Sequence, residues 1–161
     1  MQDAVMIEKA VRYDIKGRIY ISAPAKYYFE DLGLRNARIN FRQTEQTHLM
    51  ENFIYNELRL RGYSVDVGQV TYYTKDHQGK SERNVLEVDF VCNKGYNRIY
   101  IQSAFALPTP EKQEQEFKSL RNIDDSFDKI VIVAGMQPTY RNDDGILILN
   151  IYDFLLNKVK I

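Results

Sequence analysis

Val85-Leu86-Glu87-Val88-Asp89-Phe90-Val91, then the turn Asn93-Lys94-Gly95 and the run Arg98-Ile99-Tyr100-Ile101-Gln102-Ser103-Ala104-Phe105, is the stretch whose reading decides the fold. Both runs are rich in β-branched and aromatic residues, and a short glycine-bearing turn joins them. That pattern predicts an antiparallel hairpin. Alternation sends Leu86, Val88 and Phe90 to one face of the first strand and Glu87 and Asp89 to the other. In the second strand Tyr100, Gln102 and Ala104 share a face, opposite Ile99, Ile101, Ser103 and Phe105. Asp89 and Gln102 then lie side by side, and oxygen-bearing side chains on adjacent strands are how a Mg²⁺ site begins. A half-exposed antiparallel sheet with a solvated acidic face carries the same pattern, so alternation alone leaves both readings open. Cys92 alternates to the Phe90 face and reads as core.

Working outward, Tyr63 to Tyr73 is another strand-like run, and Thr47 to Arg61 before it is the clearest helix. Leu49, Met50, Phe53, Ile54 and Leu58 recur at helical spacing, Thr44 or Thr47 can cap the start, and Gly62 stands where a left-handed C-terminal residue belongs. Glu51 borders that apolar stripe beside Ile54 and Leu58, where a carboxylate needs a partner, a metal or an edge position. Downstream, Pro108 and Pro110 open a second helix over about Glu111 to Ile123. Ile130 to Ala134 and Ile146 to Ile151 read as buried strands, and Asp153 to Val159 as a closing turn of helix. Upstream, Val5 to Ile21 predicts a β-hairpin around Asp14-Ile15-Lys16-Gly17, with Gly17 supplying a positive φ. Ala23-Pro24 breaks that pattern, and Lys26 to Gly33 reads as a short helical or irregular segment closed by Gly33. The order predicts an α/β (α+β) domain with a mixed sheet, preceded by a hairpin.

The 161 residues carry 22 Lys+Arg against 22 Asp+Glu, with 44% hydrophobic and 27% charged residues, a composition that excludes disorder and gives no global argument for nucleic-acid binding. The single Cys92 forms no internal disulfide, no apolar run approaches membrane-spanning length, and the acidic N-terminus is unlike a signal peptide. A cytoplasmic protein with no membrane partner is the reading. Thr74 to Ser81 ends in the Gly-Lys-Ser of a phosphate-binding loop, but it lacks the leading glycine and lies between strands rather than opening a helix. It reads as a polar hairpin loop. His48 and His77 have no partner at ligand spacing, and the twelve tyrosines fit β-rich cores and interfaces better than base stacking.

Glu51-Asn-Phe-Ile-Tyr-Asn-Glu-Leu, Arg61-Gly-Tyr-Ser-Val, Glu87-Val-Asp-Phe-Val and Ile99-Tyr-Ile-Gln-Ser-Ala together resemble the PD-(D/E)XK nuclease superfamily. More closely, the chain looks like the domain of unknown function 4143, found at the C-terminal end of many prokaryotic AAA+-type ATPases. Tyr27-Tyr28-Phe29-Glu30-Asp31-Leu32-Gly33-Leu34-Arg35-Asn36 is its most recognisable stretch. The resemblance runs from about Arg12 to Leu156. It implies a restriction-endonuclease-like mixed sheet flanked by helices over residues 44–161. Residues 1–43 would be a hairpin and linker, the remnant of a winged-helix region, and the chain would be a truncated or excised piece of a larger ATPase.

In active superfamily members a helix glutamate, a strand aspartate and an acidic-x-Lys pair assemble a Mg²⁺ site that activates water and offsets transition-state charge. The resemblance places Glu51 at the helix position, Asp89 at the strand aspartate, Gln102 at the usual acid and Ala104 at the lysine. Gln102 offers oxygen without charge, and a methyl group supplies neither charge nor orientation. This departure implies a non-catalytic accessory domain with a regulatory, assembly or partner-binding role. No cofactor is required on that reading; Mg²⁺ is the ion implied if the site is active. A weak or specialised Mg²⁺-dependent endonuclease built on Glu51, Asp89 and Gln102 is the alternative, with a lysine such as Lys94 or Lys112 brought in from elsewhere. A second alternative is a DNA-binding module. Residues 1–43 hold 8 basic against 5 acidic residues, and Lys16, Arg18, Arg35, Arg38 and Arg42 are its candidate phosphate contacts. An oligomer is compatible with this reading, since tyrosines also serve subunit interfaces.

Overall fold

The structure is a computed structural model, and it describes residues 6–40, 42, 45–75 and 79–161. Among these, eight strands form one mixed sheet, flanked by four helices. In chain order they are β1 (Ile7–Asp14), β2 (Ile19–Phe29), α1 (Leu32–Arg38), α2 (Gln46–Leu60), β3 (Ser64–Lys75), β4 (Ser81–Lys94), β5 (Asn97–Ala104), α3 (Pro110–Arg121), β6 (Asp128–Val133), β7 (Tyr140–Arg141), β8 (Leu147–Asn150) and α4 (Ile151–Leu155). The strand order is β2-β1-β3-β4-β5-β6-β8-β7. The expected antiparallel meander is β3-β4-β5, and β5, β6 and β8 run parallel to one another, with α3 as the crossover between β5 and β6.

The N-terminal hairpin is β1 and β2, and β1 pairs in parallel with β3 through Arg12, Tyr13 and Asp14, so the hairpin extends the same sheet. Three local details differ from the sequence reading. The positive φ of the turn falls on Arg18 (55°), one residue after Gly17. Gly17 serves close approach instead: Asp14 Oδ1 accepts the amides of Lys16 and Gly17, and a Cβ at Gly17 would stand 2.8 Å from Asp14 Oδ2. Pro24 does not end the strand. Ser22 to Ala25 arch away from β1 as a bulge, and β2 is an edge strand where a missing N–H is tolerated. Pairing resumes with Lys26 opposite Ala10, so Lys26 to Phe29 is strand, and Gly33 lies in the first turn of α1 rather than at a helix end.

The helices expected at Thr47–Arg61 and Glu111–Ile123 form as α2 and α3, with Gly62 at φ 83° closing α2 and Thr109 capping α3. Thr44, one of two expected caps of α2, lies outside the described residues, and Thr47 is inside the helix. Residues 76–78 of the Thr74–Ser81 loop, His77 among them, are also outside. The two-residue strand β7 carries no periodicity that could have predicted it.

Two apolar clusters sandwich the sheet. Met50, Ile54, Tyr55 and Leu58 of α2 and Phe154 of α4 pack on one face with Val67, Phe90, Cys92 and Ile101. Phe117 and Leu120 of α3 pack on the other with Val70, Val88, Val91, Tyr100 and Ala104. Phe90 thus lies opposite Val88, contrary to strict alternation. The cause is a bulge: Asp66 pairs with Val91 but Gly68 with Val88, so β4 has an extra residue at Asp89-Phe90. Gly68 permits it, because a Cβ there would meet Val91 Cγ2 at 2.8 Å and both Val88 Cβ and Ile15 Cδ1 at 2.9 Å. Gly68→Ala is expected to cost about 1–3 kcal/mol, the scale of overpacking a rigid core, read as a lowered urea midpoint at unchanged slope.

Candidate functional site

The bulge turns Asp89 out of the plain ladder, just where β4 and β5 part. Their pairing begins at Phe90–Ile101, and beyond it Asp89 Oδ2 accepts the Ser103 amide at 2.8 Å. Glu51 arrives from α2 on the same side of the sheet, Glu87 from β4, and Lys26 from β2. Lys26 Nζ sits between them, 2.8 Å from Glu51 Oε1, 2.7 Å from Glu87 Oε1 and 3.7 Å from Asp89 Oδ1. Ala10, paired with Lys26, is itself in the α2-side core. Tyr28, two residues along the strand, donates its hydroxyl to Glu51 Oε1 at 2.7 Å. Its ring stacks on Tyr55 of α2 with centroids 4.0 Å apart. Arg12 of β1 closes the cluster with an ion pair to Glu87. Asn52, one residue after Glu51, accepts the Phe29 amide and donates to the Phe29 carbonyl, pinning the end of β2 to α2.

The electrostatics follow from burial and neighbours. Burial, then the nearby Glu51 charge, pushes the Asp89 carboxyl up from 3.8 to about 7, against the pull of Lys26. Burial works against the Lys26 charge, but Glu51 and Asp89 outweigh it and hold the ammonium above its ordinary range. Burial likewise opposes the Glu87 charge, yet hydrogen bonds from Lys26 and Arg12 hold its carboxyl below the usual value. Burial and Glu51 push the Tyr28 phenol up, so it remains a donor.

Of the residues singled out from sequence, Glu51 and Asp89 are brought together, with Lys26 between them. Gln102 is turned the other way: its Oε1 accepts the Asp89 backbone amide and the Ser119 hydroxyl of α3, both at 3.4 Å. Ala104 is likewise buried in the α3-side core. Lys94 is committed to the Arg61 carbonyl at 2.8 Å, and Lys112 to Glu116, so neither reaches Asp89. Sequence reading misses Lys26, Tyr28 and the pairing role of Glu87. The available signal is the Lys26/Tyr28 spacing, which puts both on one face once the segment is read as strand. Lys16 and Arg18 stand at one end of β2, Arg35 and Arg38 on α1 beyond its other end, and Arg42 after α1. The β1 register from Ile7 to Asp14 puts roughly 20 Å of strand between the ends of the hairpin at ~3.3 Å per residue, and Arg35 lines a pocket with Lys26, Tyr28 and Glu51 while Lys16 and Arg18 line another. Among the described residues no group of three or more His, Cys, Asp or Glu is arranged to hold a metal ion, no buried side-chain N or O lacks a hydrogen-bond partner, and no helix is long and apolar enough to cross a membrane.

This is an α+β protein in which one mixed sheet carries a half-buried acid–base cluster against its longest helix. The chain belongs to the family described as Domain of unknown function (DUF4143), which it matches over residues 46–154. An uncharacterized protein of Haemophilus influenzae is 33% identical over 156 residues, covering 97% of this chain and 35% of that protein. The chain therefore spans about a third of that relative's length. No solved structure matches the chain.

Two measurements check the cluster. Lys26→Met leaves Glu51, Glu87 and Asp89 without their shared cation and is expected to destabilise by about 2–3 kcal/mol at pH 7, less than the ~3–5 kcal/mol of a fully buried pair because the ammonium is partly exposed. The Asp89 carboxyl binds its proton more tightly folded than unfolded, so its contribution is complete below pH ~4 and lost as pH rises through about 7. Glu87 acts oppositely, its contribution present above its ordinary pKa and lost as pH falls. The urea midpoint should therefore be higher near pH 5.5 than at pH 8. Asp89→Asn should remove most of that fall and raise the midpoint at pH 8; Asp66, whose carboxyl burial also pushes up, leaves a remainder.

Proposed function

We propose that this chain is a nuclease-like domain that does not cut: a non-catalytic accessory domain of a prokaryotic AAA+-type ATPase, with a regulatory, assembly or partner-binding role. The observation that carries the reading is the state of the carboxylates. Glu51 Oε1 is shared by Lys26 and Tyr28, Glu87 is held by Lys26 and Arg12, and Asp89 Oδ2 by the Ser103 amide. At most three negative charges face two cations, and the Asp89 carboxyl is already pushed toward neutrality. A hard dication needs several uncommitted oxygens and their charge, and this donor set does not fit it. Four of the six carboxylate oxygens are held by the protein's own lysine, arginine, tyrosine and backbone amide, and an ammonium stands among them where a cation would sit.

The succession α2-β3-β4-β5-α3-β6 supports a restriction-endonuclease-like core, and β1-β2 is read as the wing of a winged-helix region. The length of the Haemophilus influenzae relative leaves room for an ATPase beside the matched part. One observation favours the nuclease alternative: Lys26 Nζ lies 3.7 Å from Asp89 Oδ1, a lysine beside the strand aspartate though supplied by another strand.

Supercoiled, linear and branched DNA incubated with the protein and millimolar Mg²⁺ or Mn²⁺ should remain uncut, and calorimetry should show no divalent-ion binding. Metal-dependent cleavage that disappears in both Asp89→Ala and Lys26→Ala would overturn the non-catalytic reading in favour of the alternative. The ATPase part is tested on the full-length Haemophilus influenzae relative: ATP hydrolysis is expected, and a purified protein without it removes that part.

A further inference from the structure

At the opposite end of the β4-β5 hairpin from Asp89, and on the α3 side of the sheet, lies a cleft of about 640 Å³. That is the size range of small-molecule sites. The β1-β2 turn, the β4-β5 turn and the loop before β6 form its walls. Arg98 is its fixed element. The guanidinium lies 5.0 Å from the Tyr13 ring centroid and 5.9 Å from that of Phe127, and Nε donates to Asn93 Oδ1 at 2.8 Å. The two acids nearby are committed: Asp125 accepts the Tyr100 hydroxyl and the Phe127 amide, and Asp124 pairs with Lys16 at 3.2 Å. That last bridge is solvent-exposed and opens at little cost.

Two lining residues have no evident structural use. Tyr96 is fully exposed at the tip of the β4-β5 turn. Arg18 is exposed, has no ion pair among the described residues, and occupies a left-handed backbone position that glycine or asparagine fills at lower cost. An unpaired guanidinium at a strained position, facing a stacked arginine and open aromatic rings, suits a ligand with a planar ring and an anionic group.

We propose that this cleft binds a nucleoside phosphate, its base against Tyr96 and Phe127 and its phosphate at Arg18 and Lys16. The site is separate from the Lys26 cluster and does not depend on the function proposed above. The same chemistry comes from a free nucleotide or from one residue of a single strand, and the experiment separates them. In ¹H–¹⁵N spectra of the whole chain, AMP should shift the amides of Arg18, Tyr96, Arg98 and Phe127, and inorganic phosphate should shift them less. Arg18→Gly relieves the backbone, so it should melt no lower than the parent while binding AMP ~10-fold more weakly. Tyr96→Ala, at a fully exposed position, should weaken AMP ~5-fold or more without loss of fold. An oligoadenylate of about ten nucleotides that binds over ~10-fold tighter than AMP at the same amides assigns the strand as the source; equal or weaker binding assigns the free nucleotide. Absence of those shifts at ~10 mM AMP, or affinity unchanged in either variant, overturns the proposal.

Discussion

One ammonium group organises this molecule. Lys26 Nζ joins the edge strand β2, the helix α2 and the central strand β4 at a single point, where each of Glu51, Glu87 and Asp89 would otherwise face two like charges. In a partly dry site, carboxylates this close repel strongly, and the energy of separating them would fall on the packing of α2 against the sheet. With the lysine present the same repulsion becomes registration. β2 must lie where Lys26 and Tyr28 both meet Glu51, and the Asn52 clamp on Phe29 admits no slippage by one residue. Such a cluster selects one arrangement among several that an apolar core alone would tolerate.

The elements legible in the sequence are those whose signal is local. α2 declares itself by apolar spacing and by Gly62, and β3, β4 and β5 by β-branched runs between turn residues. What escapes depends on contacts between distant segments. Alternation places Phe90 beside Val88, and the bulge opposite Gly68 separates them. A glycine inside a strand is a recognised mark of such a bulge, so a trace of it is present at Gly68, but which partner residue doubles cannot be read along one strand. Pro24 looks like an end because a strand interior rejects proline; an edge strand does not, and edges are a property of the whole sheet.

The candidate site is half legible for the same reason. Glu51 stands out as a carboxylate on an apolar stripe, and Asp89 as an acid in a strand with a buried opposite face. Lys26 does not stand out, because its segment reads as irregular, and the two-residue spacing that puts it on one face with Tyr28 carries meaning only once that segment is strand. Gln102 falls beside Asp89 in sequence register, yet the bulge sends the two side chains to different partners: Asp89 to the Ser103 amide and Lys26, Gln102 to α3. A single inserted residue thus decides which side chains share a site.

The short parallel contact between β1 and β3 has a kinetic consequence. Only Arg12, Tyr13 and Asp14 pair there, and they close a loop of roughly fifty residues that includes α1 and α2. The β3-β4-β5 meander, by contrast, forms from neighbours in sequence. Folding is therefore expected to raise the meander and α2 first and to dock the N-terminal hairpin last, since long-range parallel pairing is rewarded only after its closure entropy is met. Until that step Glu51, Glu87 and Asp89 face one another without their lysine. On that order the carboxylates of α2 and β4 meet before their counter-ion does, and the docking of β2 completes the cluster.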